Sequence, residues 1–302
     1  MAEPHISELK SWLAAQPTLL GNDWLRTLDS RKQEEAHFHD ADRKGHRDEL
    51  PTSSPNRRFY EAAAVVQCYV DAWMRRTAPR TRFLDYACGN GFQAVQAAKA
   101  GAAVVVGIDI STNAVENAFE TADKQGVGSI CRFLQRDCEL TQLRANSFDA
   151  GLCSGMLHHL DLTRAYPELH RIMAPGGRLL CVEALAYNPV IRLYRNLSPS
   201  LRTEWESKHI LGMKEVRLAE RWFDVANMKF FLMAAPLTTL LPAGPLRRFG
   251  LTAGHAVDAV LTRVPGIRLW SWQFTFELVR RDSASTRPEA IADGAQALQT
   301  LR

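Results

Sequence analysis

The chain has 302 residues, and its 37 Lys and Arg residues against 33 Asp and Glu residues give a formal net charge of +4. A hydrophobic content of 46% and a charged content of 23% exclude a globally disordered chain and predict one large domain, or one domain with additional segments. The near balance of charge argues against a nucleic-acid partner, which requires clustered basic residues.

The cysteines and the apolar segments indicate the compartment. The six cysteines include no Cys-x-x-Cys pair, which argues against zinc-ribbon and thioredoxin chemistry. The N-terminal MAEPHISELK lacks a signal-peptide pattern, and no run of about 20 apolar residues occurs. The nearest is the uncharged segment 230–246, which contains three prolines. We therefore predict a cytoplasmic protein.

Residues 1–80 are predicted to form polar helices. Segment 31–50, RKQEEAHFHDADRKGHRDEL, is rich in charge and is interpreted as a solvated helix face. The same interpretation applies to His37, His39 and Asp40, so no metal site is predicted there. Segment 51–56, PTSSPN, interrupts the pattern, and residues 58–76 predict a strong amphipathic helix.

From residue 81 onward, short apolar segments alternate with helical patterns. The predicted strands are 82–87, 102–110, 130–137, 147–154 and 176–184. Strands that alternate with helices imply right-handed crossovers and a mostly parallel sheet covered on both faces. After Ala184 we predict a helix and a strand within 215–231, a helix at about 250–262, and a strand over 268–279.

A glycine-rich turn follows the first predicted strand. Gly89 and Gly91 lie between that strand and a helix, where free backbone N–H groups can approach a ligand. The string from Gly89 to Ala94 also matches the fingerprint of dinucleotide-binding enzymes, so a nicotinamide cofactor stays an alternative.

Three acids lie at the carboxyl ends of three successive predicted strands. Asp109 comes 18 residues after Gly91, where a carboxylate can accept two hydrogen bonds from ribose hydroxyls. Asp85 precedes the glycine turn, and Asp137 ends the third strand. A carboxylate at Asp85 would repel a diphosphate and attract a sulfonium or ammonium group. The acids therefore favour a cationic ligand.

Five segments carry a resemblance to a known family: LDYACGNG (84–91), GIDIS (107–111), RDC (136–138), SFD to LHHL (147–160) and LHRIMAPGGRL (169–179). In this order and spacing they resemble the class I S-adenosylmethionine-dependent methyltransferases, of the type 11 methyltransferase-domain kind. The resemblance implies an α/β, Rossmann-like fold. We expect a seven-stranded, mostly parallel sheet with an antiparallel last strand, and helical additions at the N-terminus and after the fifth strand.

The resemblance also divides the chain. Its four parts are an N-terminal helical cap (1–80), a cofactor-binding core (81–185), acceptor-side additions with the last two strands (186–281) and a flexible tail (282–302).

The implied cofactor is S-adenosyl-L-methionine. Gly89 and Gly91 make room for its amino-acid part and sulfonium, and Asp85 lies near that end. The implied cofactor-binding positions are Asp85, Tyr86, Ala87, Gly89, Gly91, Asp109, Ile110, Asp137, Cys138 and Ser154. Among them Asp109 binds the ribose, and Ile110 packs on the adenine. Ala87 departs from the family, which has a glycine at that position.

The implied contact of Asp137 is the adenine amino group, with Cys138 beside it. His158 and His159 follow the fourth strand, in the region that faces the transferred methyl group in this fold. An imidazole there can act as a general base, so both are candidate catalytic residues. A capping or packing role for the pair is the alternative.

The acceptor side is the least specified part of the sequence. The uncharged segment 230–246 and nearby aromatic residues favour a small, apolar or lipid-like acceptor of secondary metabolism, methylated on O or C rather than N. Peripheral membrane contact is a weaker alternative, and the oligomeric state stays open. Two other functions remain: an NAD(P)-dependent oxidoreductase, and a protein that binds the cofactor without transferring methyl.

Overall fold

A seven-stranded sheet organises the chain in the computed structural model, which describes residues 3–44, 57–197 and 203–281. The strand order is β3-β2-β1-β4-β5-β7-β6. The strands are β1 (Arg82–Tyr86), β2 (Val104–Asp109), β3 (Cys131–Gln135), β4 (Phe148–Ser154), β5 (Met173–Ala184), β6 (Phe223–Phe231) and β7 (Gln273–Arg280). The predicted tail, 282–302, lies outside the described residues.

The strand directions confirm the predicted sheet. β1 to β5 pair in parallel, and β7 pairs antiparallel with both β5 and β6. β2 is buried along its whole length, as expected for an apolar strand with helices on both faces. β5 begins at Met173 rather than at 176, because Met173 already pairs with Phe148 of β4.

Helices cover both faces of the sheet. Before β1 come α1 (Glu3–Ala14), α2 (Gly21–Arg26), α3 (Ser30–Arg43) and α4 (Arg57–Thr77); within the parallel part come α5 (Phe92–Lys99), α6 (Thr112–Lys124) and α7 (Leu162–Ile172). After β5 follow α8 (Pro189–Leu197), α9 (Glu204–Lys208), α10 (Met213–Ala219), α11 (Ala235–Thr238) and α12 (Pro245–Leu261). One apolar core joins α4, α5 and α6 to the sheet, and the other joins α1, α7 and α10.

Helix α3 corrects the interpretation of segment 31–50 as a solvated face for residues 31–43; residues 45–56, with the predicted break at 51–56, lie outside the described residues. Its Lys32 and Glu35 are 6% and 4% exposed, and Ala36 is fully buried. The helix begins after Asp29, whose side chain accepts a hydrogen bond from the Lys32 N–H. One charged face of α3 therefore packs against the protein.

The uncharged segment 230–246 joins β6 to α12. Leu232 and Ala235 are buried in the core shared with α4, whereas Leu237 and Leu240 are exposed. In the described part of the chain, no helix is both long and apolar enough to cross a membrane.

The residue after β1 generates a stability prediction. Ala87 has φ +61°, a left-handed conformation that costs an L-residue about 1–2 kcal/mol and suits glycine. Because the entropy cost of a glycine, about 0.5–1 kcal/mol, offsets part of this relief, Ala87→Gly should raise the free energy of unfolding by up to about 1 kcal/mol. Urea denaturation measures the change.

The matched control is Ala64→Gly on the exposed side of α4, which should lower the free energy of unfolding by about 1 kcal/mol. Equal losses in the two variants would show that Ala87 carries no backbone strain.

Candidate active site

The carboxyl ends of β1, β2 and β3 bring together the three acids that the sequence singled out. Asp85, Asp109 and Asp137 are all at least 95% buried. Asp109 holds the glycine turn in place, because its Oδ2 accepts from the Gly89 N–H at 2.9 Å and its Oδ1 accepts from the Ser111 N–H at 2.9 Å. The turn and the N-terminus of α6 are thereby fixed to one carboxylate.

The carboxylate of Asp85 lies in an environment in which a nearby cation would stabilise its negative charge. Burial raises its pKa to about 7, and the negative charge of Asp109 acts in the same direction, against a hydrogen bond from the Ala94 N–H. Its buried Oδ2 has no hydrogen-bond partner among the described residues. An unpartnered carboxylate oxygen beside a second carboxylate is a site for positive charge.

The two glycines of the turn are needed for different reasons. Gly89 is needed for its backbone conformation, because φ +50° is left-handed and favours glycine; a Cβ there would lie 3.4 Å from Nη2 of Arg43. Gly91 has φ +79°, and a Cβ there would lie 2.8 Å from the Cβ of Ala118. Gly91 therefore lets α5 approach α6, and its expected role in making room for a ligand stays a prediction.

The remaining predicted cofactor positions lie around this edge, and their side chains differ in solvent exposure. The Tyr86 hydroxyl donates to the Cys138 carbonyl, and both side chains belong to the buried core. Burial raises the pKa of the Cys138 thiol well above its usual range, so it stays protonated. Ile110 is half-buried and Ser154 is exposed. Their contacts with a cofactor stay predictions.

Helix α3 lies across this edge, and its contribution was not predicted from the sequence. The Lys32 Nζ lies 2.7 Å from Oδ2 of Asp137 and 2.8 Å from Oε2 of Glu139. Arg31 contacts the same Glu139 at 2.5 Å and donates to the His159 carbonyl at 2.8 Å. These ion pairs join α3 to the loop that follows β3.

The second half of α3 contacts α6. The Oδ1 of Asp40 accepts from the Ser111 hydroxyl at 2.5 Å and from the Asn113 N–H at 3.1 Å. A signal for this face was present in the sequence, because Lys32, Glu35, Ala36, His39 and Arg43 recur at helical spacing. Because buried helix faces are usually apolar, the charge of these residues led to the prediction of a solvated face.

His158 is held by carboxylates. Its Nδ1 lies 2.7 Å from Oε2 of Glu183, and its Nε2 lies 3.7 Å from Oε1 of Glu206. Burial disfavours the imidazolium, but the two carboxylates outweigh burial and raise the pKa of His158 to about 9. The other Glu183 oxygen accepts from the Met156 and Leu157 N–H groups. His158 is therefore a buried cation that fixes the turn after β4.

His159 has the opposite electrostatic character. Its Nδ1 lies 2.9 Å from Oε2 of Glu35, whose Oε1 accepts from the Thr203 hydroxyl. Burial and the positive charge of His158 lower the pKa of His159 despite Glu35. Burial also opposes ionisation of Glu35, but the hydrogen bonds from His159 and Thr203, and the His39 ring 3.5 Å away, outweigh it and hold its pKa below the usual range. His159 is thus neutral at pH 7, with its Nδ1–H donated to a carboxylate.

The same side chains meet a distance requirement for a metal ion. In Glu35/His39/His159 and in His158/His159/Glu206, the possible ligand atoms lie within 4.8 Å of one another. Both oxygens of Glu35 already accept hydrogen bonds from His159 and Thr203, and His158 is protonated. These contacts form a hydrogen-bonded cluster without an ion, and the absence of a metal site stays a prediction.

The ion pairs of His158 generate a prediction for stability against pH. Because its pKa is raised in the folded protein, the stabilisation is fully present below the unfolded value of 6.5 and is lost as pH rises through about 9. The melting temperature of the wild type should therefore fall across this window, and His158→Gln should flatten the fall. Differential scanning calorimetry at several pH values measures both.

His5→Gln on the exposed side of α1 is the control and should leave the pH dependence unchanged. The same fall in wild type and His158→Gln would show that the pairs contribute nothing.

Comparison with known proteins identifies the domain around the glycine turn. Residues 84–181 match the family described as "Methyltransferase domain". A ribosomal protein L11 methyltransferase of Photobacterium profundum is 33% identical over 97 residues, which are 32% of this chain and 31% of that protein. A 27-O-demethylrifamycin SV methyltransferase of Amycolatopsis mediterranei is 36% identical over 99 residues, 32% of this chain and 36% of that protein. The chain thus matches about a third of the length of these curated relatives.

The fold is also shared with solved structures. Geranyl diphosphate C-methyltransferase from Streptomyces coelicolor A3(2) superposes with a TM-score of 0.56 over 85% of this chain and 100% of that chain, at 13% identity. This likeness shows the fold. Together with the family match over residues 84–181, it agrees with the resemblance predicted from the motifs: this part of the chain matches a methyltransferase domain, within a Rossmann-like fold of the class I kind.

Proposed function

We propose that the protein transfers the methyl group of S-adenosylmethionine to a small, apolar or lipid-like acceptor. The observation that carries the proposal is the buried Oδ2 of Asp85, which accepts no hydrogen bond from the described residues, beside a glycine turn held by Asp109. A cationic sulfonium and ammonium fit this environment, whereas the diphosphate of a nicotinamide cofactor would be repelled.

The residues around the turn divide the work of binding. Asp85 faces the positive end of the cofactor, and Asp109 accepts from the ribose hydroxyls with the lone pairs that Gly89 and Ser111 leave unused. The Arg43 guanidinium, beside Gly89, suits the carboxylate of the amino-acid part. The cofactor supplies an already activated methyl group, so the protein has to align an acceptor and exclude water.

His159 is the residue that we assign as general base. A neutral imidazole whose Nδ1–H is donated to Glu35 presents its Nε2 as the acceptor of a proton. His158 cannot take this role at pH 7, because it already carries a proton between Glu183 and Glu206. The assignment narrows the predicted pair of catalytic histidines to one, with Glu35 as a positioning residue.

A general base at this site also favours some acceptor atoms over others. An O–H or an acidic C–H acceptor must lose a proton on methylation, and a neutral base beside the site favours such acceptors over an amine that is already nucleophilic. The related proteins named above act on 27-O-demethylrifamycin SV and geranyl diphosphate, which agrees with a small-molecule acceptor. The ribosomal-protein methyltransferase shows that the same domain also serves protein acceptors.

The elements that surround His159 indicate where the acceptor binds. Glu35 and His39 come from α3, Thr203 precedes α9, and Trp205 stacks on His209 at 3.7 Å between ring centroids. These segments are additions to the parallel core. We propose that they form the wall of the acceptor site and determine which acceptor binds.

Two alternatives compete with methyl transfer. The string Gly89 to Ala94 also fits a nicotinamide enzyme, and a domain with the same acids can bind the cofactor without transferring methyl. Incubation of the protein with methyl-labelled cofactor and a cell extract, followed by identification of the labelled product, tests transfer and identifies the acceptor. Cofactor binding without any labelled product would favour the binding protein.

Calorimetry with S-adenosylhomocysteine and with NADH tests the cofactor class. We expect binding of the former only. Arg43→Ala should raise the Kd for S-adenosylhomocysteine about tenfold, because a charge-assisted contact contributes about 1.5–3 kcal/mol where it is well formed. Lys44→Ala, at the exposed end of the same helix, should leave Kd unchanged. Binding of NADH alone would refute the proposal.

The pH profile of turnover tests the base. His159→Gln should lower kcat about 10²- to 10⁴-fold with little change in cofactor Kd. Because the pKa of His159 is lowered from 6.5, wild-type turnover should stay level down to that pH and fall below it as the ring is protonated.

Glu35→Gln supplies the finer test. Without the carboxylate the acidic limb of the profile should move further down in pH, and kcat should fall less than in His159→Gln. His37→Gln, one exposed position on the same helix, is the control. An unchanged kcat in His159→Gln would remove the base from the mechanism.

A further inference from the structure

Helix α12 presents an apolar stripe to solvent. Leu246, Phe249, Ala253, Val257 and Val260 recur every three or four residues and are all exposed; we call them the α12 stripe. Phe249 is 73% exposed and Val260 is 62% exposed. Large exposed apolar side chains in a continuous row mark an interaction surface.

A different side of α12 holds the helix to the protein. Gly254 and Asp258 are buried, and a Cβ on Gly254 would lie 2.8 Å from the Cα of Ala235. The Asp258 carboxylate accepts from the Ala234 N–H at 2.6 Å and from the Ala235 N–H at 3.3 Å. The helix is therefore anchored to α11 without the stripe, which has no partner among the described residues.

The exposed apolar surface continues beyond the helix. Val264, Ile267 and Trp270 follow α12 and are exposed, Trp270 by 59%. The Trp270 carbonyl accepts from Asn188 Nδ2 at 2.5 Å, immediately before α8. An exposed tryptophan at the end of such a stripe is typical of side chains that settle at a membrane–water interface.

The charge of this segment indicates the partner. Between residues 230 and 272 the basic residues are Arg247, Arg248, Arg263 and Arg268, and the single acid, Asp258, is buried. Arg248 and Arg263 are exposed near the stripe. A second copy of this chain would place the same positive charges face to face, whereas an anionic lipid surface complements both the apolar and the basic side chains.

The position of α12 suits this role. β6 ends at Phe231 and β7 begins at Gln273, and these two residues pair at the same edge of the sheet as Ala184, the carboxyl end of β5. The cofactor acids lie at the carboxyl ends of parallel strands at that edge. The segment between β6 and β7 therefore starts and ends on the side of the sheet where an acceptor has to arrive.

We propose that the α12 stripe and its flanking arginines dock the protein on anionic lipid surfaces, with α12 in the plane of the interface. Docking does not require methyl transfer. It assigns to the uncharged segment and α12 a partner that composition alone did not favour.

Vesicle flotation of the full chain tests the proposal, with phosphatidylcholine vesicles and with mixed phosphatidylcholine/phosphatidylserine vesicles. The wild type should float with the mixed vesicles and bind the neutral ones more weakly. Phe249→Ser/Val260→Ser should lower the partition coefficient on mixed vesicles at least about tenfold, and Arg248→Gln/Arg263→Gln should lower it about tenfold on these vesicles alone.

Matched controls lie elsewhere on the surface. Leu140→Ser removes an apolar side chain that is 64% exposed, and Arg75→Gln/Arg76→Gln removes two exposed charges at the end of α4. Both should bind mixed vesicles like the wild type. Wild-type protein that stays unbound, or stripe variants that bind equally well, would refute the proposal.

A third outcome would also refute it. If light scattering shows a wild-type dimer that Phe249→Ser/Val260→Ser dissociates, and vesicles bind neither form, the stripe is an interface between copies. Calorimetry with S-adenosylhomocysteine verifies that each variant is folded, and its result is independent of vesicle binding. Failure of docking and failure of the cofactor assignment are thus distinguished.

Discussion

The structure depends on the burial of charge between α3 and the carboxyl edge of the sheet. Lys32 lies between Asp137 and Glu139, all three almost fully buried, and loss of one partner would leave an uncompensated charge at a cost of about 3–5 kcal/mol. This constraint fixes a helix that has little apolar surface of its own. Glu35 thereby reaches His159, and Arg43 reaches the glycine turn.

The sheet was predictable because its signals are local. Apolar strands alternate with helical patterns over residues 81–185, and each strand was placed within a few residues of its observed bounds. Helix α3 was misinterpreted because its partners are remote: Lys32 and Asp137 are separated by 105 positions. A charged helix face is interpreted as solvated unless the opposite charges that bury it are known, and periodicity carries no information on them.

The candidate site, like the fold, was predictable from the sequence only where its signals are local. The three acids lie at the carboxyl ends of successive strands and the glycine turn follows the first strand, so the sequence alone predicts that they meet at one edge of the sheet. The different protonation states of His158 and His159 could not be predicted from the sequence. The two histidines are adjacent in the chain, but their pKa values depend on Glu183 of β5 and Glu35 of α3, which are remote in sequence. The packing reason for Gly91 likewise depends on Ala118 of another helix.

The reversed direction of β7 has a consequence for how the molecule can vary. A parallel strand would need its preceding connection to cross the sheet, but an antiparallel β7 lets the chain leave β6 and return at one edge. The length of the 41-residue connection between Phe231 and Gln273 is therefore not fixed by the strand pairing, although Leu232 and Ala235 anchor its start in the core. Exchange of the part of that connection beyond Ala235 would change what surrounds the carboxyl end of the sheet, while the parallel strands and their acids stay in register.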